Sequence, residues 1–443
     1  RGRLISRDLI TVTAPIERAL LVGAPLKRAG ARKALDEHLR ELERLADTAG
    51  ANVVGELTQQ LDRPHPGTYL GKGKIEELRA LVADKKATLI IFDDELSPSQ
   101  GKNVEDIVGT RVVDRAELIL DIFATRARSS EAKMQVELAQ LEYTLPRLTR
   151  MWTHLEKFRG GIGVRGPGET QLESDRRLIN GRIKLLKERL AHVQQNRAVQ
   201  RQSRAGAFKA SLVGYTNAGK SSILRGLTGA DDVHVEDRLF ATLDPLTREV
   251  DLGENAQVLV TDTVGFIRKL PHHLVASFRA TLEETRDADL LLHVVDASHP
   301  LWEEQRMVVD QVLLELGLGE QPVLLVFNKM DLLSEEAALA LQERVTALVP
   351  NAVFVSTETE HGLDPLRRSL RHAMRARRPV AEVWLSPKDG RLLAEIHQHG
   401  EVLEQRTEGE QMVILARLPE KLRGRLEQAG ADVRPDPRTA VAP

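Results

Sequence analysis

The sequence predicts an α/β protein. Its largest part is a mostly parallel sheet with helices on both faces. A small parallel α/β domain with a long helical hairpin precedes it, and a small α+β domain follows. Three observations predict this. Short apolar runs alternate with amphipathic segments through the first 115 residues. Gly214-Tyr-Thr-Asn-Ala-Gly-Lys-Ser221 matches G-x-x-x-x-G-K-[ST] between a strand-like run, 208–213, and a helix opening, 222–227. Asp262-Thr-Val-Gly265, Asn328-Lys-Met-Asp331 and Ser356-Thr-Glu358 then follow strand-like runs in that order. The expected divisions are 1–115, 116–206, 207–378 and 379–443.

In the first division, Ala19-Leu-Leu-Val22 is a short strand. Residues 31–49 carry Leu35, Leu39, Leu42 and Leu45 at helical steps. Strands are expected at 52–57, 88–92 and 111–114, with helices at 75–83 and ending at 104–108. Such alternation argues a parallel layer. Gly71-Lys-Gly-Lys74 lacks P-loop spacing, so a glycine turn with solvated lysines is preferred over a phosphate cradle. Asp93-Asp94-Glu95 is read as a solvated acidic cluster at a helix start, ahead of a metal site.

The second division reads as one helix from 118 to about 145 and another from 172 to about 202, whose apolar face is Leu178, Ile179, Ile183, Leu186, Leu190 and Val193. Between them, residues 159–170 are expected to be irregular, because their glycines and Pro167 break both periods. The segment is locally basic, although the chain carries a net charge of −2. Two readings stay open: a solvated helical surface, or a phosphate-contacting probe for structured RNA. The RNA candidates are Arg159, Gly160, Gly161, Arg165, Gly166, Arg176 and Arg177. Trp152, His154 and Phe158 would stack on bases or pack inside the hairpin.

In the third division the chemistry is more specific. Gly214, Tyr215, Thr216, Asn217, Ala218, Gly219, Lys220, Ser221 and Ser222 place small residues and a helix N-terminus around an anion. Lys220 reaches the β- and γ-phosphates, and the Ser221 hydroxyl ligates Mg2+. Phe240, Ala241, Thr242, Leu243 and Asp244 lie in an aperiodic stretch, 230–247, expected to act as a switch loop. Thr242 is its Mg2+ ligand. Asp262, Thr263, Val264 and Gly265 end a strand. Asp262 faces Mg2+ through water and the Gly265 amide faces the γ-phosphate. Asp331 accepts from guanine N1–H and its 2-amino group, which adenine cannot offer. Asn328 braces the loop, the Lys329 stem covers the ring, and Met330 completes the motif. Ser356, Thr357 and Glu358 bring backbone N–H groups to the guanine oxygen. The ordered set specifies a P-loop GTPase, with Lys220, Thr242 and Gly265 as the catalytic candidates.

Phe266 stands directly after the Asp-x-x-Gly motif, where many GTPases carry a water-orienting glutamine. Its ring makes no such hydrogen bond. Slow intrinsic hydrolysis that needs outside help is one reading. Packing of the ring on the sheet, with water positioned elsewhere, is the other.

The last division is expected to hold a strand at 381–385, a helix at 390–399, strands near 401–405 and 412–418, and a helix at 421–428. From 431 onward it is expected to be disordered. His397 and His399 have no partner ligands nearby in sequence and are read as solvated. The chain has no cysteine, which excludes disulfides and thiolate metal sites and fits a reducing compartment. Its apolar runs are strand-length, so no membrane span is expected.

The chain resembles the HflX family of ribosome-associated GTPases. The carrying residues are 69–74, Gln135-Val-Glu-Leu-Ala-Gln-Leu141, the glycine-rich run 160–173, 214–222, 240–245 and Asp262-Thr-Val-Gly-Phe-Ile267. The resemblance implies a cytoplasmic GTPase that binds the large ribosomal subunit and its RNA, and a monomer is expected. It implies that the N-terminal domain and hairpin approach the peptidyl-transferase region, and that stalled or idle ribosomes are split. Asn217 resembles the P-loop residue of GTPases that add K+ to Mg2+. Two other readings stay open: an ATP-driven RNA remodeller using the N-terminal domain, and a GTP-gated scaffold without splitting activity.

Overall fold

Apolar runs with no polar alternation become strands covered on both faces, and these organise the protein. In this computed structural model the described residues are 16–27, 31–148, 167–202, 207–229, 239–253, 256–270, 285–377, 379–386 and 388–435. They fall into two units: residues up to 125 with 136–184, and 126–135 with 185 onward.

The first unit holds β1 (Arg18–Gly23), β2 (Asn52–Thr58), β3 (Leu89–Phe92) and β4 (Arg111–Asp114) in the order β2-β1-β3-β4, every pair parallel. Helices α1 (Ala31–Thr48), α2 (Lys72–Lys85) and α3 (Pro98–Val108) connect them. Leu20, Val22, Ile90 and Phe92 pack with Leu78 and Val104 in its core. A capping box sets the start of α3: Ser97 Oγ accepts the Gln100 N–H, the Gln100 side chain accepts the Ser97 N–H, and Pro98 follows. Gly71 is the N-cap of α2, and Lys74 pairs with Glu77 at 2.9 Å. Asp93 departs from expectation. It is buried rather than solvated, because the Arg115 guanidinium, itself 1 % exposed, pairs with it at 2.8 Å and also with Glu41.

The helix expected over 118–145 is two helices, α4 (Arg115–Arg126) and α5 (Ser130–Thr144). Ser129 Oγ accepts the Ala132 N–H at 3.0 Å and starts the second one. Helix α6 (Pro167–Gln202) begins inside the run expected to be irregular. Pro167 sits at its first position, where a missing N–H leaves no bond unmade. Of the predicted apolar face of α6, Leu186 and Leu190 are buried, but Leu178 is exposed. Arg176 and Arg177 are exposed on this helix. Trp152, His154, Phe158, Arg159, Gly160, Gly161, Arg165 and Gly166 lie outside the described residues.

The second unit is built on β5 (Phe208–Gly214), β6 (Leu246–Asp251), β7 (Gln257–Asp262), β8 (Leu290–Asp296), β9 (Val323–Asn328) and β10 (Val353–Phe354). Their order is β10-β9-β8-β5-β7-β6, parallel except for β6 against β7. Strand β6 begins inside the stretch expected to be aperiodic. Helices α7 (Lys220–Thr228), α8 (Trp302–Glu315), α9 (Glu335–Leu348) and α10 (Asp364–Arg377) belong to this layer.

A further antiparallel sheet, β12-β13-β11-β14, follows: β11 (Val380–Leu385), β12 (Glu401–Glu408), β13 (Gln411–Arg417) and β14 (Asp432–Pro435). Helices α11 (Gly390–His399) and α12 (Glu420–Gln428) accompany it. Strand β14 corrects the expectation of disorder from 431. It pairs with β11, and Val433 packs on the Val383 and Ile414 core. Among the described residues no helix is long and apolar enough to cross a membrane, and no histidine and carboxylate group is arranged to hold a metal.

Candidate functional site

Parallel register brings the motifs to one edge of the large sheet. Leu212 lies beside Asp262, Gly214 beside Val294, and Asp296 beside Asn328. The turn from β5 to α7 ends at Gly219, whose φ is 92°. A Cβ there would fall 2.2 Å from Asn328 Nδ2, so only glycine fits. That same amide donates to the Ala218 carbonyl at 3.0 Å, tying the end of β9 to the glycine-rich turn. Gly265 is equally constrained, since a Cβ would lie 2.8 Å from Thr216 Cα and 3.0 Å from Lys220 Nζ.

Lys220 is buried, and its ammonium donates to the carbonyls of Tyr215 at 2.9 Å and Gly214 at 3.3 Å. An ammonium has three donors, so a third is available to an anion. Burial pushes its pKa down to about 8, and the nearby Asp262 carboxylate opposes that shift. Burial pushes Asp262 up in turn, against Lys220 and hydrogen bonds from Ser221, Thr242 and the Thr263 amide. Asp262 Oδ2 accepts from Ser221 Oγ at 2.6 Å and Thr242 Oγ1 at 2.9 Å, and the two hydroxyls are 2.9 Å apart. Two hydroxyls and a carboxylate are a hard oxygen set of the kind Mg2+ takes. The residues therefore fit that ion.

A cleft of about 310 Å³ runs from this cluster to the Asn328-Lys-Met-Asp331 motif. Of the predicted residues, Thr216, Asn217, Gly219, Lys220, Ser221, Ser222, Phe240, Ala241, Thr242, Thr263, Gly265, Asn328, Lys329, Asp331, Thr357 and Glu358 line it. Gly214, Tyr215, Ala218, Leu243, Asp244, Asp262, Val264, Met330 and Ser356 do not. Tyr215 is buried, with its hydroxyl accepting the Arg268 N–H at 2.8 Å. Ser356 instead serves the carboxylate that does line the cleft: its hydroxyl donates to Asp331 Oδ1 at 2.6 Å. Its oxygen also accepts the Glu358 N–H at 3.1 Å, so that amide is already engaged.

Phe266 is 2 % exposed and absent from the cleft wall. Its N–H donates to Gly214 O at 3.0 Å and its carbonyl accepts the Thr216 N–H at 2.7 Å. The ring packs inside the domain. Thr216 Oγ1 and Asn328 Oδ1 are buried without a hydrogen-bond partner among the described residues, which marks polar capacity reserved at this site.

Sequence reasoning missed Asp296. Its Oδ2 lies 2.7 Å from Lys329 Nζ, while Oδ1 accepts both the N–H and the hydroxyl of Ser298. A carboxylate ending the buried run of β8 was the available signal. Asp296 anchors Lys329, which lines the cleft. Asp296→Ala is expected to weaken GDP and GTP alike by about tenfold, the scale of one charge-assisted hydrogen bond. Fluorescent-nucleotide titration checks this, and unchanged affinities would count against it.

Three family descriptions match in sequence: GTP-binding GTPase N-terminal over residues 36–124, GTP-binding GTPase Middle Region over 126–204, and 50S ribosome-binding GTPase over 209–329. The GTPase HflX of Escherichia coli (strain K12) is 46% identical over 365 residues, covering 82% of this chain and 85% of that one. The GTPase HflX of Magnetococcus marinus is 45% identical over 425 residues, covering 94% and 97%. A GTP-binding protein of Sulfolobus solfataricus, solved with GDP, aligns over 81% of this chain and 98% of its own at 24% identity, with a TM-score of 0.44. With the phosphate loop, the hydroxyl–carboxylate cluster and the Asp331 end in one cleft, and with relatives matched along nearly its whole length, this chain belongs to the HflX family of GTPases.

Proposed function

We propose that this GTPase binds the large ribosomal subunit through its RNA and splits stalled or idle ribosomes, hydrolysing GTP slowly alone and faster on the ribosome. The observation that carries the reading is Phe266. Its ring is buried, and its backbone is paired to the phosphate loop. A water-orienting side chain is therefore missing at the position where GTPases commonly keep one, and a partner supplies what the chain lacks. The family description of the nucleotide domain as a 50S ribosome-binding GTPase supports the identity of that partner.

In this reading the third Lys220 donor and the phosphate-loop amides hold the β- and γ-phosphates, and the Gly265 amide meets the γ-phosphate. Ser221 and Thr242 would hold Mg2+ directly and Asp262 through water. When bound, the ion neutralises charge on the phosphate oxygens. Loss of the γ-phosphate frees the loop around Thr242 and lowers affinity for the subunit. Asn217, at φ 60° on the cleft wall, is the candidate for sensing K+. The exposed Arg176 and Arg177 are candidates for RNA phosphates, with Arg159, Gly160, Gly161, Arg165 and Gly166 beside them in sequence. We place the protein in the cytoplasm as a monomer and keep the four divisions at 1–115, 116–206, 207–378 and 379–443. The ATP-driven alternative rests only on Gly71-Lys-Gly-Lys74, where Lys74 pairs with Glu77, and ATP hydrolysis surviving loss of Lys220 would favour it.

The test is GTP turnover with and without purified large subunits, in K+ and in Na+. Stimulation by about 10-fold or more is expected, since a partner completing a GTPase site typically gives far more. An unstimulated rate would remove the central claim, and equal rates in both salts would remove the role of K+. Sucrose gradients separate splitting from mere binding, because a scaffold sediments with ribosomes without changing the subunit ratio.

A further inference from the structure

We infer that Ser129 is a positioning residue for Thr242, acting through Asp244, and that this contact ties the nucleotide state to the start of helix α5. The inference rests on the reading of Thr242 as a ligand of Mg2+ and sensor of the γ-phosphate.

Asp244 lies two residues after Thr242 but does not line the cleft. Its Oδ2 accepts the backbone N–H groups of Arg128 at 3.2 Å and Ser129 at 3.1 Å. The Ser129 hydroxyl donates to Oδ1 of the same carboxylate. Ser129 Oγ in turn accepts the Ala132 N–H at 3.0 Å, which makes it the N-cap of α5. All these residues belong to the nucleotide-binding unit. One carboxylate thus takes three donors from the two residues that precede a helix, where the helix dipole also favours negative charge.

The geometry limits what Thr242 can do. Leu243, the one residue between, is 3 % exposed. A buried side chain and a triply held carboxylate thus fix the chain just past Thr242. Its hydroxyl is held 2.9 Å from Asp262 Oδ2. The linkage acts in both directions. Whatever holds Thr242 to the phosphate end favours the Asp244 contact, and whatever releases Thr242 takes the acceptor away from Arg128 and Ser129. The start of α5 then loses a counter-charge and the acceptor of two backbone N–H groups. Ser129 acts on the reaction without touching substrate, and the broken helix at 127–129 is the place where the switch loop is held.

Amide hydrogen exchange on the full chain tests this directly. With Mg2+ and a non-hydrolysable GTP analogue, the Arg128 and Ser129 amides are expected to exchange at least about tenfold more slowly than with GDP. In kinetics, Ser129→Ala and Asp244→Ala are expected to raise the Mg2+ concentration needed for half-maximal GTP turnover by several-fold and to lower kcat, with GDP affinity unchanged. Ser129→Thr restores both, because it keeps the hydroxyl. Equal exchange of the two amides in both nucleotide states would overturn the inference. So would an unchanged Mg2+ requirement in both alanine variants while Thr242→Ala raises it, or an equal loss of GDP affinity, which marks a general structural role. If Thr242→Ala leaves the Mg2+ requirement unmoved, the reading of Thr242 fails first and the inference falls with it.

Discussion

Lys220→Ala is expected to reduce single-turnover GTP hydrolysis by at least about a hundredfold, with the fold retained. The ammonium is held by the carbonyls of Tyr215 and Gly214, which aims its remaining donor at the cleft. Removing one preorganised donor from developing oxyanion charge typically lowers rates by about 10²–10³. Stability responds differently. Burial holds the Lys220 pKa down at about 8, so the charged form carries a desolvation penalty. Alanine removes that desolvation penalty while exposing two carbonyls to the cleft, and the two effects oppose each other. The melting temperature without nucleotide is expected to move by only a few degrees, whereas the rise normally produced by GTP is lost. Lys220→Arg does not restore turnover, because a planar fork cannot reproduce a tetrahedral donor between two carbonyls. Hydrolysis within threefold of the unsubstituted protein would show that the phosphates are held elsewhere.

The phosphate loop was legible because everything it needs is local: a strand, six residues and a helix start. The guanine end was legible for a similar reason, as Asp331 follows a continuous apolar run. The features that escaped share a different property, which is dependence on residues distant in sequence. The apolar period runs on through 118–145, so the break at 127–129 was invisible until Ser129 was seen capping α5 beside Asp244. Asp93 read as solvated because its partner, Arg115, is 22 positions away on another element. Strand β14 read as disordered because its sequence is polar, yet Val433 alone reaches the core and the ladder with β11 supplies the rest. Pro167 and the glycine after it read as breakers, although a first helical turn accepts them. The two readings of Phe266 could not be separated by pattern, since a buried phenyl ring and a missing glutamine are the same residue. Burial fixes the packing alone, and the role of a partner in orienting water is carried by the turnover test with large subunits.

Asp331→Asn is expected to transfer the base preference from guanine to xanthine. Guanine offers two donors, N1–H and the 2-amino group, which a carboxylate accepts together. Xanthine carries a carbonyl at C2 in place of the amino group, which an amide donor satisfies and a carboxylate repels. Ser356 decides which way the substituted amide turns. Its hydroxyl donates to Asp331 Oδ1 at 2.6 Å, and its oxygen is occupied by the Glu358 N–H at 3.1 Å. Ser356 therefore fixes the Asn carbonyl on its own side and leaves the NH2 group facing the base. In the substituted protein the guanine 2-amino group meets a donor and one of its hydrogen bonds is lost. Sites built around such bonds discriminate by about 10⁴–10⁵ when sealed. Asp331 stands in an exposed cleft, so a loss of GTP affinity nearer about a thousandfold is expected, with XTP gaining at the same time. Competition between XTP and GTP in a turnover assay measures the exchange. Adding Ser356→Ala to Asp331→Asn frees the amide to turn and is expected to return part of the guanine binding. A protein that keeps its guanine preference after Asp331→Asn would remove this carboxylate from base recognition, whatever else lines the cleft.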